Sequence, residues 1–154
     1  MFCERNILNI EIHLSKSSAD SNPKVTVRFG DKFHAERIQS IKQKICLRNL
    51  KHNKDVKLIV ERNEQELYST GLSHHDNKIY VDKVVVDDFW EFNNNFYTPT
   101  SLLNDDYIEY INKTEDGKWI KNTLVNNTHL FFNGSLVWDI KYPVRRSFFK
   151  DFHR

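Results

Sequence analysis

Between Lys78 and Trp90 the chain reads KIYVDKVVVDDFW, a dense run of β-branched and aromatic residues with no Gly or Pro. Side chains branched at Cβ pack well on a pleated sheet and lose rotamer freedom in a helix. The run is flanked by loop-like segments, so it predicts one long, largely buried strand over Ile79–Trp90. Several shorter runs have the same character. No stretch sustains a 3.6-residue apolar period, so the chain is predicted to be all-β.

The other runs fill in the architecture. In Ile7–Leu14, Leu8, Ile10, Ile12 and Leu14 alternate with Asn9, Glu11 and His13, the pattern of a half-buried strand. Lys16–Pro23 is a polar loop. Lys24–Phe29 alternates again, and Gly30-Asp31 predicts a tight turn into Lys32–His34. Arg37–Leu50 fits neither period. Its Lys and Gln content allows a short helix, while its β surroundings favour a strand around Ile45–Leu47. Asp55–Glu61 alternates through Val56, Leu58 and Val60. Asn133-Gly134 lies between the apolar runs Thr128–Phe132 and Ser135–Tyr142, which predicts a hairpin with a type I′ turn. Pro143 ends its second strand. About eight strands at this spacing predict a single antiparallel β-sandwich, jelly-roll-like, occupying residues 1–154. The tail 145–154, RRSFFKDFHR, is expected to dock on the sandwich or on a neighbour.

Composition narrows the function. The formal net charge is only +2 among 154 residues, which gives no whole-chain case for nucleic acid or a membrane surface. No segment approaches the roughly 18 apolar residues of a membrane-spanning helix. Glu4, Arg5 and Asn6 interrupt the start and no apolar region follows, so synthesis in a cytoplasm without a signal peptide is expected. The two cysteines, Cys3 and Cys46, are too few for a disulfide framework, and Cys46 reads as a buried thiol in an apolar run. Aromatics are plentiful instead, with 11 Phe, 6 Tyr and 3 Trp to fill a core.

Candidate sites follow from residue chemistry. Asp82, Asp87, Asp88, Asp105 and Asp106 supply oxygens of the kind that hold calcium, but without the spacing of an EF-hand loop. Cofactors are therefore expected to be none, with structural calcium as the alternative. His74-His75-Asp76 is a poor metal site, because adjacent strand residues point to opposite faces. Glu91 and Glu109 can be imagined as a glycosidase pair, but any acidic chain offers such pairs, and no nucleophile elbow, phosphate loop or zinc motif occurs, so no enzyme is expected. Trp90, Tyr97 and Trp119 lie among the irregular middle segments and are the candidates for a platform that stacks on sugar rings. Trp138 shares a face with Leu136 and Ile140 and reads as core. Arg145, Arg146, Phe148, Phe149 and Phe152 form a basic, aromatic tail suited to a protein partner.

Three motifs, VVVDDFW, FYTP and LFFNGSLVWDIKYP, lie within Ile79–Phe149. Together they resemble small β-sandwich, carbohydrate-binding-module-like proteins of tailed phages. The resemblance covers about half the chain. It implies a non-enzymatic structural or interaction protein, a tail- or capsid-associated component of a virion that contacts other proteins or copies of itself. The alternative it implies is a carbohydrate-binding module.

Overall fold

Strict two-residue alternation of buried and exposed positions governs the best-formed strands. In Ile7–Lys16 (β1) every second residue from Leu8 to Lys16 is buried. Period two is what a strand with one face on the core and one on solvent requires. The computed structural model describes residues 7–19, 22–64, 78–87, 90–93, 100–105, 108–109, 123–124, 129–130 and 133–142. Within them run ten further strands: Lys24–Phe29 (β2), Lys32–Arg37 (β3), Lys42–Lys51 (β4), Val56–Arg62 (β5), Ile79–Val86 (β6), Trp90–Asn93 (β7), Thr100–Leu103 (β8), Thr123–Leu124 (β9), His129–Leu130 (β10) and Gly134–Ile140 (β11).

They form two antiparallel sheets. The first is ordered β10-β6-β1-β4, with β7 also paired to β6; the second is ordered β3-β2-β5-β11-β8-β9. Consecutive strands repeatedly change sheet, as in a jelly roll. Ile10, Ile12, Ile45, Val84 and Val86 of the first sheet meet Val25, Val27, Leu58, Val60 and Leu136 of the second in one core. The protein is thus the expected all-β sandwich. Trp138 is 3% exposed within this core, as expected.

Gly30-Asp31 forms the predicted tight turn, with Phe29 paired to Lys32. Gly30 has φ 60 and Asp31 a negative φ, the pattern of a type II′ turn, where glycine takes the first central position. The open question over Arg37–Leu50 resolves as strand β4.

Two local readings are corrected. The run Ile79–Trp90 is not one strand. Asp87 has φ 53, and the chain doubles back so that Trp90 pairs with Val86 and Asn93 with Lys83. The Asp87 carboxylate accepts the Asn9 amide (2.9 Å), and the Asp87 amide donates to the Asn9 carbonyl (2.8 Å). These bonds hold a non-glycine residue in the left-handed region, which Asp tolerates better than most.

The second correction is at Asn133-Gly134. β10 belongs to the first sheet and β11 to the second, so the two are not a hairpin. Gly134, which a type I′ turn would place at a central position, is instead the first residue of β11, paired with Arg62 and Leu103. Instead the buried Asn133 side chain pairs with the main chain of Glu64, donating to its carbonyl (2.8 Å) and accepting from its amide (2.9 Å). The residue therefore pins the point where the chain changes sheet.

Polar side chains also secure other crossings. Lys16, read from sequence as loop, is the buried last residue of β1. Its Nζ donates to the Asn22 side-chain oxygen and to the carbonyls of Ile38 and Gln39, at 3.1, 3.1 and 3.2 Å. Arg62, fully buried at the end of β5, donates from Nε to Glu64 (2.6 Å) and from Nη1 to the Leu130 carbonyl (3.0 Å), joining the two sheets.

Candidate functional site

The outer face of the first sheet carries the chain's most organised set of described polar groups. It is built by register. Lys44 on β4 and Lys83 on β6 both pair with His13 on β1, so the three form one row across adjacent strands. In the next row, Lys42 and Tyr80 flank Ser15. The opposite face of the same strands is Ile12, Leu14, Ile45 and Val84, all core.

One extra residue shapes this face. His13 pairs with Lys83 but Leu14 pairs with Val81, which leaves Asp82 as a bulge on β6. A bulge shifts the strand's phase by one. Ile79 and Val81 before it, and Val84 and Val86 after it, all remain buried, while Asp82 is exposed and Lys83 half-buried. The Ser15 hydroxyl donates to Asp82 Oδ1 (3.0 Å).

The result is a groove of about 500 Å3 lined by His13, Leu14, Ser15, Lys42, Gln43, Lys44, Asp82 and Lys83. Glu11, one position along the outer face, lies 3.4 Å from both Lys44 and His13. Burial alone would raise the Glu11 pKa, but hydrogen bonds from His13 and Lys44, with the Lys44 charge, hold it below the usual carboxylate value. A glycosidase general acid needs the opposite shift, upward. A second groove, about 560 Å3, lies at the other end of β4, where Lys32, Lys51 and Lys54 surround Phe29, Gly30 and Val56.

The sequence candidates fare unevenly. Trp90 and Glu91 lie on β7, opposite Val86 and Val85. Tyr97, Trp119, Asp88, Asp106, His74, His75 and Asp76 lie outside the described residues, as do Arg145, Arg146, Phe148, Phe149 and Phe152 of the tail. Asp82 and Asp87 are each engaged by a different partner on β1, and Asp105 is exposed. Among the described residues no three His, Cys, Asp or Glu side chains converge as a metal-ligand group. No described helix is long and apolar enough to cross a membrane. Cys46 is half-buried on the outer face, beside Glu11, where a buried thiol was expected; it follows the solvent phase of β4 between core residues Ile45 and Leu47.

Sequence reasoning passed over Lys42, Lys44, Lys83 and Tyr80. They come from strands far apart in the chain, and only the pairing register brings them together. One signal was readable: the apolar phase slips between Val81 and Val84, which marks a bulge in an otherwise regular strand.

No protein-family model and no curated protein matches the sequence. Solved structures do match. One is the selenomethionine form of vCBM60, from work linking two families of calcium-dependent carbohydrate binding modules by circular permutation. It is 12% identical, has a TM-score of 0.53, and the match covers 86% of this chain and 90% of that one. Another is vCBM60 in complex with galactobiose, 11% identical with a TM-score of 0.49, over 85% of this chain and 97% of that one. The chain has a carbohydrate-binding-module-like β-sandwich fold.

Proposed function

We propose that this protein is a non-catalytic glycan-binding module. The observation that carries the reading is the likeness of its sandwich, over most of both chains, to the carbohydrate binding module vCBM60. The outer face of the first sheet supports it. Lys, Ser, His and Asp side chains there are donors and acceptors of the kind that pair with sugar hydroxyls. They stand on paired strands over a close-packed core, so little ordering is required on binding.

Catalysis has less support. Glu11 is stabilised as the carboxylate and so is not poised to donate a proton, and the Asp82 carboxylate accepts the Ser15 hydroxyl. The role expected from the phage resemblance, a virion component that binds proteins, has no observation favouring it over glycan binding. The test is glycan-array binding of the purified chain with and without calcium, repeated with Trp90→Ala and Trp119→Ala. Selective retention of particular glycans is expected. Failure to bind any glycan in either condition would refute the proposal.

A further inference from the structure

Resting on the glycan-binding reading, we infer that the groove on the first sheet selects acidic glycans, polymers bearing uronate carboxylates, through Lys42, Lys44 and Lys83. The groove's lining holds three lysines and one carboxylate. That carboxylate, Asp82, is engaged by the Ser15 hydroxyl. Lys44 is shared with Glu11, while no carboxylate whose side chain is described forms an ion pair with Lys42 or Lys83. The excess of positive charge is local, because the whole chain carries only +2.

The placement suits a chain of negative groups rather than one. Lys44 and Lys83 stand on either side of His13, two strand spacings apart, roughly 10 Å between main chains. Lys42 lies two residues along β4 from Lys44, about 7 Å. A polymer lying along the groove thus meets ammonium groups at successive positions. Among the described residues no Phe, Tyr or Trp lines the groove, so its described lining offers charge and hydrogen bonding rather than a stacking platform. Lysine, a compact ammonium on a flexible stem, reads charge more than the planar geometry that arginine matches.

The test is affinity electrophoresis of the whole chain in gels containing polygalacturonate, dextran sulfate, neutral galactan or duplex DNA. The variant Lys42→Gln/Lys83→Gln is compared with Lys51→Gln/Lys54→Gln, which removes equal charge from the groove at the other end of β4. Polygalacturonate is expected to retard the parent protein. Each exposed ion pair contributes modestly, so the first variant should bind about tenfold more weakly. The second variant should bind as the parent does. Raising salt from 50 to 500 mM should abolish the retardation, as the screening length shrinks to a few ångströms.

Retardation by galactan alone would overturn the inference and leave the glycan-binding reading standing. Retardation by dextran sulfate but not polygalacturonate would overturn the assignment to carboxylates. Equal weakening in both variants would show that general charge is responsible and overturn the site. Stronger retardation by DNA, lost with Lys42 and Lys83, would make the groove a nucleic-acid site instead. No retardation by any of these polymers would overturn the inference, while the reading beneath it stands or falls on the glycan array.

Discussion

Asn133→Ala offers the sharpest test of how the two sheets are joined. Asn133 has no exposed surface, and its amide makes two hydrogen bonds to the main chain of Glu64, at 2.8 and 2.9 Å. Each is worth about 1 kcal/mol net. Alanine also strands the Glu64 amide and carbonyl. Glu64 is only half-buried, so water offsets part of that cost. The expected loss is about 2–4 kcal/mol, a large fraction of the roughly 5–15 kcal/mol that holds a domain folded. With a urea slope of about 2 kcal/mol per molar, the midpoint should fall by about 1–2 M at unchanged slope. Tryptophan fluorescence provides the readout. Asn133→Gly discriminates further. Were Asn-Gly a type I′ turn, glycine at the first position would be nearly neutral. With the side chain bridging to Glu64, glycine must cost at least as much as alanine. An alanine variant within about 0.5 kcal/mol of the parent, or a neutral glycine variant, would refute the bridging role.

Other perturbations test separate parts of the fold. Gly30→Ala should cost about 1 kcal/mol, seen as a melting temperature lower by about 3 °C. The penalty is conformational, since an added Cβ meets only Val56 Cγ1, at an ordinary 3.7 Å, while φ stays at +60; Gly30→Asn should recover much of it. Lys16→Met keeps the stem but deprives the Ile38 and Gln39 carbonyls of their donor, so a loss of about 2 kcal/mol in urea unfolding is expected. His52 is 1% exposed, and burial lowers its pKa despite a hydrogen bond with Ile140 and the charges of Asp55 and Asp87. A histidine depressed in the folded state binds its proton preferentially when unfolded. Its stability contribution is therefore full above the unfolded value, about 6.5, and declines as pH falls below it. His129, lowered by burial and by Lys78, acts in the same direction. Stability measured from pH 7.5 to 5 should fall less steeply in His52→Gln than in the parent, and an unchanged slope would acquit His52.

Elements whose determinants are local were legible in the sequence. β1 declares itself by alternation, and the β2–β3 turn by a glycine at a position that needs positive φ. The misread elements depend on partners distant in sequence. Nothing within VVVDDFW states that it must break at Asp87; the bonds that hold the bend come from Asn9, 78 residues away. Asn133-Gly134 has the composition of a hairpin, yet Asn133 is recruited by Glu64, 69 residues earlier. β-Propensity reports fit to a pleated surface and says little about which strand is the neighbour. The groove was illegible for the same reason. Lys42, Lys44 and Lys83 each look like the solvent phase of an alternating strand, and only the antiparallel register aligns them.

The bulge at Asp82 ties that groove to the core. Along a regular strand, consecutive residues point to opposite faces, so either Asp82 or Lys83 would face the interior. Burying an unpaired charge there would cost several kcal/mol. The extra residue removes the conflict, leaving Ile79, Val81, Val84 and Val86 inside and both charged residues outside, beside Ser15 and His13. The step that keeps β6 in register with β1 is therefore the step that sets the groove's charge. A face so built is expected to be rigid, because moving Lys83 relative to His13 means breaking sheet pairing. Main-chain anchors spaced by strand geometry favour a ligand with regularly repeated groups, since only the lysine side chains need to order to meet its successive anions.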